Sequence, residues 1–239
     1  MSADDPYYVD RLENPYRSTV ARQKFLARST FFSSLNPGEL IVDIACGTGS
    51  ETAYLASAHP TLEFLGVDLE SKFIKAANYR YQDVRNVHFE VADLYQLDQL
   101  PAWGEAKAVL LSQTLSWLKW WRDELSCIIG PNVDRVGLST LAWDGPAESE
   151  VIHYFGNRGD QGVEQCNYNV YSIPALCEQM RLQGFPEQSV EKFAIDIDLE
   201  APNHGGLGSY TVRAESGERL TFSMWQYLPW HFFHFARGS

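Results

Sequence analysis

The chain has 239 residues, enough to bury one sizeable core, and its 45% hydrophobic and 21% charged residues are globular values. Its formal net charge of −12 argues against a nucleic-acid surface, which normally carries a basic stripe. No stretch approaches the roughly 18 apolar residues of a membrane span, and the acidic N-terminus shows no secretory signal. The four cysteines lack paired metal-ligand spacing. We therefore expect a cytoplasmic protein with reduced thiols, no metal and no membrane partner.

Strand and helix patterns alternate along most of the chain. Residues 1–36 are polar and aromatic and predict a helical leader, which the turn at Pro37-Gly38 ends. The pattern then predicts strands at 40–44, 64–68, 87–91, 108–111, 133–138 and 189–198, and helices at 50–58, 71–81, 115–129 and 173–183. Residues 141–170 interrupt the rhythm as a polar insertion, and segments 210–213 and 219–223 predict a terminal β-hairpin. Alternating strands and helices indicate a parallel sheet with helices on both faces.

The most informative segment is residues 40–49, which read L-I-V-D-I-A-C-G-T-G. Its aliphatic start is typical of a strand buried on both faces of a parallel sheet. Gly47 and Gly49 allow a sharp turn and a close approach of the backbone to a ligand, because neither has a Cβ. Ser50 then opens a helix, whose first N–H groups point outward. The segment therefore predicts a ligand site at the end of the first strand.

Two interpretations of this turn compete. The nucleotide-redox fingerprint G-x-G-x-x-G needs a third small residue where this chain has Thr52, which weakens an NAD or FAD interpretation. The form D-x-A-C-G-T-G, beginning at Asp43, instead resembles motif I of the class I S-adenosylmethionine (SAM) dependent methyltransferases. That resemblance implies cofactor contacts from the motif itself. The residues concerned are Asp43, Ala45, Cys46, Gly47, Thr48 and Gly49.

Carboxylates at the ends of the next two strands extend the resemblance. Asp68 follows Gly49 by 19 residues, close to the spacing of the ribose-binding acid in a Rossmann-type unit, and Leu69 adjoins it. An ionised carboxylate accepts hydrogen bonds from both ribose hydroxyls, although a strand-end Asp is also often a simple surface group. Asp93 matches the family's adenine-binding acid, with Leu94 supplying a backbone N–H. A helix N-cap is the alternative role for Asp93.

The segment S-Q-T-L-S-W-L at 112–118 resembles the family's fourth motif. The resemblance implies that Gln113 lines the methionine part of the cofactor and that Trp117 closes a wall near the transferable methyl, with core packing as the alternative for Trp117. The N-terminal leader lies where class I enzymes often place a lid. Its Tyr16, Arg17 and Arg22 are candidate partners for the methionine carboxylate, because arginine binds a carboxylate through two parallel hydrogen bonds.

The acceptor side is predicted from the insertion. Trp117, Trp143, Tyr154 and Tyr168 are candidate substrate-binding residues, since aromatic rings stack on a ring or hold a cation. His153 lies in the insertion and is the candidate general base, needed only if the acceptor must lose a proton. A structural or surface histidine is the competing interpretation.

Together these features predict a Rossmann-like, doubly wound, mostly parallel seven-stranded sheet with a helical N-terminal lid and a C-terminal β-hairpin. We expect one domain over 1–239, divided into a lid (1–36), a cofactor-binding core (37–140), a substrate-side insertion (141–172) and C-terminal strands (173–239). The implied activity is SAM-dependent methyl transfer to an O or N atom of a small molecule, yielding S-adenosylhomocysteine, without a nucleic-acid partner; a homodimer is compatible with the sequence. The alternatives are a catalytically silent partner subunit, an NAD(P)-dependent oxidoreductase and, more remotely, an aminopropyl transferase.

Overall fold

The computed structural model describes residues 17–155, 164–201 and 209–238. Its α-helices are α1 (Arg17–Leu26), α2 (Thr30–Ser33), α3 (Ser50–Ala58), α4 (Ser71–Arg80), α5 (Trp121–Cys127) and α6 (Ile173–Leu182). Its first strands are β1 (Leu40–Ile44), β2 (Glu63–Asp68), β3 (Val87–Val91), β4 (Ala106–Ser112), β5 (Arg135–Trp143), β6 (Ile152–Phe155) and β7 (Glu164–Asn167). The remaining strands are β8 (Tyr171–Ser172), β9 (Glu187–Lys192), β10 (Ser209–Arg213), β11 (Arg219–Ser223), β12 (Gln226–Tyr227) and β13 (Trp230–Ala236).

The main sheet has the order β3-β2-β1-β4-β5-β13-β9, and the short strand β8 pairs with β5 to give eight strands. Strands β1 to β5 are parallel, whereas β13 runs antiparallel to both β5 and β9. The strand order reverses between β1 and β4, and ligands bind such sheets in the crevice outside the strand ends at this point. The structure thus confirms the Rossmann-like α/β prediction, and β10 and β11 form the predicted hairpin.

Two hydrophobic clusters pack on the two faces of this sheet. One cluster contains Val42, Val109 and Leu138, and the other contains Ile41, Leu110 and Phe64. Successive residues of β1 and of β4 therefore enter different clusters, as expected because strand side chains alternate between faces. The uninterrupted apolar runs in the sequence follow from this burial on both sides. Within the described ranges, no helix is long and apolar enough to cross a membrane.

The single helix predicted at 115–129 is wrong, because the structure has a 3-10 turn at Leu115–Trp117 and a separate helix α5. The carbonyl oxygens that a continuous helix would use are taken by side chains of the insertion. Tyr171 donates its hydroxyl to the Leu115 carbonyl at 2.8 Å, and Asn169 donates its amide to the Leu118 carbonyl at 3.0 Å. The tertiary contacts thus hold the segment after β4 as a loop.

Two strand predictions near the C-terminus also need correction. The strand predicted at 189–198 ends at Lys192. The aromatic tail, which the sequence indicated only as packing, is the long strand β13 inside the main sheet. Its aromatic residues alternate between the two faces, so that Phe233 and Phe235 enter one cluster and Phe232 enters the other. This burial on both sides removes the polar–apolar alternation that marks a half-exposed strand.

Candidate cofactor and acceptor site

The turn after β1 has the backbone conformation that its glycines permit. Gly47 and Gly49 have φ angles of 58° and 72°, in the left-handed region that favours glycine. A Cβ on Gly49 would lie 2.5 Å from the Phe89 Cε1 atom, so this position is closed to larger residues. A Cβ on Gly47 would meet no heavy atom within 4 Å. The turn is therefore packed tightly on its inner side and leaves open space beside Gly47, where a ligand can approach the backbone.

Asp43 supports the turn from inside the sheet. Its side chain is 2% exposed, and its carboxyl accepts a hydrogen bond of 2.6 Å from the Thr52 hydroxyl. Burial, reinforced by the nearby Glu51, raises the pKa of Asp43 to about 8. The fold therefore favours the protonated form of Asp43. Thr52, which departs from the nucleotide-redox fingerprint, is fully buried and ties α3 to β1, a role that sequence reasoning missed.

Asp68 lies at the end of β2 beside this turn. One carboxylate oxygen accepts the Gly47 N–H at 2.8 Å, and the other accepts the Glu70 N–H at 2.9 Å. Burial raises the pKa of Asp68, and these two backbone hydrogen bonds oppose the rise. An ionised carboxylate has about four lone-pair sites. Asp68 thus fixes the glycine turn and keeps the capacity to accept two further hydrogen bonds.

The other predicted cofactor residues lie at the neighbouring strand ends. Asp93 accepts the Tyr95 N–H at 2.9 Å and caps a 3-10 helix at Leu94–Gln99, which is the alternative role considered for it. Leu69 is 69% exposed after β2. Gln113 follows β4 with a φ of 58°, and its N–H donates to the Ser139 carbonyl at 2.8 Å. A non-glycine residue in this region is uncommon and is often held at a functional site.

The N-terminal helix α1 is attached to this site by an ion pair. Arg22 contacts Glu51 at 2.7 Å, and the two side chains are only 13% and 8% exposed. The guanidinium that was a candidate for the methionine carboxylate is therefore engaged with Glu51. Tyr16 lies outside the described residues, and of Arg17 the structure describes only its place at the start of α1. Sequence reasoning missed the pair because a separation of 29 residues leaves no local signal.

On the side where the sequence predicts the acceptor, a row of rings extends from the end of β4. Trp117 lies 5.6 Å from Tyr168, Tyr168 stacks on His153 at 5.5 Å, and His153 lies 5.7 Å from Trp225, all between ring centroids. Three of the predicted acceptor-side residues are thus brought together. Trp143 instead packs over Gly145. Tyr154 is partly exposed on β6.

His153 occupies an unusual environment for a histidine. It is 6% exposed, and neither ring nitrogen has a hydrogen-bond partner in the described part of the chain. Burial lowers the pKa of His153, and the nearby Gln226 side chain opposes this shift. The lowered pKa favours the neutral imidazole, which is the form that accepts a proton. Sequence reasoning missed Trp225 and Gln226 as members of this group, because they come from the distant turn between β11 and β12 and from β12 itself.

The comparisons with known proteins agree with this geometry. Residues 41–128 match the family described as "Methyltransferase domain". The chain is similar to a tRNA (guanine-N(7)-)-methyltransferase from Rubrobacter xylanophilus, at 34% identity over 36% of this chain and 39% of the relative. It is also similar to a trans-aconitate 2-methyltransferase from Deinococcus radiodurans, at 32% identity over 34% of this chain and 29% of the relative. These matches, together with a shorter one, span 15% to 39% of the relatives' lengths.

Among solved structures, magnesium protoporphyrin IX methyltransferase from Synechocystis with bound S-adenosylhomocysteine aligns over 99% of this chain and 97% of that chain. Its TM-score is 0.60 at 14% identity, a likeness of fold. The sheet with its glycine turn and strand-end acids is a Rossmann-like arrangement, in which ligands bind outside the carboxyl ends of the strands. Residues 41–128 match the methyltransferase domain family, and the whole described fold is similar to that of a methyltransferase solved with S-adenosylhomocysteine.

Proposed function

We propose that this chain transfers a methyl group from SAM to an O or N atom of a small-molecule acceptor. The observation that carries the proposal is the family match over 41–128, which includes the glycine turn, Asp68, Asp93 and Gln113. These features end successive parallel strands and so lie along one edge of the sheet. The open space beside Gly47 fits a nucleotide at that edge.

When bound, SAM would supply a methyl group attached to a sulfonium sulfur. The sulfur is a good leaving group. The residues proposed to hold SAM follow the order of the strands. The turn at 45–49 would hold the methionine and ribose, Asp68 would accept hydrogen bonds from the ribose hydroxyls, and Asp93, Leu94 and Leu69 would line the adenine. Gln113 would hold the methionine. Such contacts mainly align the reacting groups, a task worth up to about 7–11 kcal/mol in ideal cases.

His153 is proposed as the general base for an acceptor that must lose a proton. Its imidazole, buried next to Tyr168, has a ring nitrogen that is without a partner among the described residues and can take up that proton. We expect His153→Ala to lower turnover by about 10²-fold or more and to leave the affinity for S-adenosylhomocysteine within about twofold. Both values are measurable on one preparation, by a product assay and by calorimetry. Unchanged turnover would mean that the base lies elsewhere or is not needed.

Small-molecule acceptors are favoured over nucleic acid by the net charge of −12. Because the chain is similar to a tRNA methyltransferase, tRNA is the nucleic acid to test as an alternative acceptor. The test is a titration with bulk tRNA at low salt, where electrostatic binding is strongest. The calorimetry described below distinguishes the silent-subunit and NAD(P) alternatives. We also propose the division into lid, core, insertion and C-terminal strands, a cytoplasmic location and, as an option, a homodimer.

The deciding experiment is calorimetric titration of the full chain with SAM, with S-adenosylhomocysteine and with NADH. Binding of both sulfur nucleotides, without NADH, supports the proposal. Binding of none supports a silent or partner-dependent subunit, and binding of NADH alone contradicts the proposal.

The Asp68→Ala variant tests the ribose contact. We expect about 10- to 100-fold weaker binding of S-adenosylhomocysteine, since hydrogen bonds to a charged group are worth about 1.5–3 kcal/mol each. Asp83→Ala is the matched control, because Asp83 is an exposed acid in a turn outside the site. Equal affinities of the two variants would remove the ribose assignment.

A further inference from the structure

On the proposed acceptor side, two buried side chains have polar atoms without a hydrogen-bond partner among the described residues. His153 and Gln226 are each 6% exposed. Neither ring nitrogen of His153 nor the Oε1 atom of Gln226 meets hydrogen-bond geometry with a described residue, although Gln226 lies near enough to the ring to oppose the lowering of the pKa of His153. The Gln226 amide nitrogen, in contrast, donates to the Tyr168 carbonyl at 2.9 Å, which fixes the orientation of the side chain. Unpaired buried polar atoms are rare in native proteins because they are costly, so each one calls for an explanation such as a bound ligand.

The turn that precedes Gln226 carries an exposed tryptophan beside this pair. Strands β11 and β12 pair Ser223 with Gln226, so Met224 and Trp225 form a two-residue hairpin turn. Met224 has a φ of 52°, a conformation that glycine prefers at such a turn, and its carbonyl accepts the Tyr210 hydroxyl at 2.7 Å. Trp225 is 71% exposed, although its indole lies 5.7 Å from the His153 ring. Met224, in a strained conformation, thus holds the exposed Trp225 indole next to the unpaired polar atoms of His153 and Gln226.

The chemistry of the unpaired atoms defines what they recognise. The Oε1 atom of Gln226 only accepts, whereas a neutral imidazole offers one donor and one acceptor. A ligand that satisfies them presents a hydroxyl or ring N–H donor with a second polar atom beside it. The rings of Tyr168 and Trp225 flank His153 and favour a flat partner. A charged ligand would lose its hydration on entering this buried site, so an uncharged one is favoured.

We propose that His153, Gln226 and Trp225 form the recognition pocket for the acceptor, and that the acceptor is an uncharged, flat ring system with a hydroxyl or N–H donor next to a second polar atom. Trp225 covers the ring after it enters. The row of rings that continues through Tyr168 to Trp117 leads from this pocket to the end of β4. The pocket is assigned to the acceptor on the basis of the proposed methyltransferase function.

The test uses calorimetry on the full chain, with and without saturating S-adenosylhomocysteine. The probe is 2-hydroxyquinoline, whose lactam tautomer places a ring N–H donor next to a carbonyl oxygen, and 2-methylquinoline is its counterpart without that donor and that oxygen. We expect the hydroxy compound to bind at least tenfold more tightly than the methyl compound. Gln226→Leu and His153→Phe should each remove most of that preference. The affinity for S-adenosylhomocysteine, measured on the same samples, should stay unchanged and so reports that each variant is folded.

Matched variants separate the pocket from general surface effects. Trp225→Ala should weaken binding of 2-hydroxyquinoline at least fivefold, whereas Trp120→Ala, which removes another exposed tryptophan, should have no effect. His88→Phe, at an exposed position on β3, is the control for His153→Phe. Because Trp225 is on the surface, its variant should fold even if a buried variant does not.

Two results would overturn the pocket and leave the proposed function standing. One is binding of S-adenosylhomocysteine with equal or undetectable binding of the two quinolines. The other is preferential binding of tetramethylammonium, which would indicate a cation site. The converse result, a quinoline preference that depends on Gln226 without any binding of SAM or its product, would support the pocket and contradict the methyltransferase proposal.

Discussion

At the residue scale, Asp43 shows how one position in the glycine-turn motif is shaped by its surroundings. The motif contributes an acid, but the fold places its carboxyl where water does not reach it and where the Thr52 hydroxyl donates to it. The charged form is disfavoured there, since burial penalises a carboxylate and Glu51 adds repulsion. The residue therefore behaves as a neutral hydrogen-bonding group that holds α3 against β1.

This raised pKa has a measurable effect on stability. In the unfolded chain Asp43 loses its proton near pH 4, whereas in the folded chain it keeps it up to about pH 8. Between these values the folded state binds more protons, so Asp43 makes stability fall with rising pH, by at most about 1.4 kcal/mol per unit. Asp43→Asn should remove that slope while an amide oxygen still accepts from Thr52.

The measurement is urea unfolding of both proteins at pH 5, 6.5, 8 and 9. The stability of Asp43→Asn relative to the wild type should rise from pH 5 to 8 and then level off. The difference between the two proteins is the relevant quantity, because buried His234, whose pKa is lowered to about 4, adds the opposite slope in both of them below pH 6.5. Parallel pH profiles would show that Asp43 is ionised in the native state.

At the element scale, helix α1 is held on the cofactor edge by one buried ion pair. Arg22 of α1 and Glu51 of α3 are each largely shielded from water; Arg22 contacts the Oε2 atom of Glu51, and the Oε1 atom has no hydrogen-bond partner in the part of the chain described. Removing one partner of such a pair leaves an uncompensated charge. The position of the proposed lid therefore depends strongly on Arg22.

We expect Arg22→Met to lower the free energy of unfolding by about 3 kcal/mol and to increase hydrogen exchange in α1. The exposed pair of Arg181 and Glu178 provides the matched control, and Arg181→Met should cost less than about 1 kcal/mol. Adding Glu51→Gln to Arg22→Met should recover part of the loss, since the buried charge is then gone. A loss as small as that of the control would show that α1 is held by other contacts.

At the scale of the whole molecule, the last described strand completes the sheet. Strand β13 lies between β5 and β9, so the C-terminal segment joins the cofactor half to the later part of the chain. It contributes Phe232, Phe233 and Phe235 to the core, each almost fully buried. Burial of one such side chain is worth about 1.5–3 kcal/mol, and total stabilities are about 5–15 kcal/mol.

Removing residues 230–239 should therefore abolish cooperative unfolding, and the shortened chain should bind a hydrophobic dye such as ANS. Removing only 238–239, which leaves β13 intact, should change the unfolding midpoint little. Circular dichroism during thermal and urea unfolding makes the comparison. A shortened chain that still unfolds cooperatively would mean that β1 to β5 are stable without β13.

Local patterns in the sequence determined most of the elements in the proposed cofactor-binding core. The apolar run at 40–44, the glycines at 47 and 49 and the helix at 50–58 are found as predicted, because their causes are local: burial on both faces, backbone freedom and helical periodicity. The order of the strand-end acids could be inferred for the same reason. The assignments of these residues to parts of the cofactor remain predictions.

Only the tertiary structure showed which residues meet on the proposed acceptor side and how β13 completes the sheet. The loop at 115–118 depends on hydrogen bonds from Asn169 and Tyr171, and His153 meets Trp225 across 72 positions of the chain. Strand β13 was not predicted, because a strand that is buried on both faces lacks the alternation of polar and apolar residues. Contacts between residues far apart in the sequence leave no periodic signal, so the chain had to be folded before these groups could be recognised as neighbours.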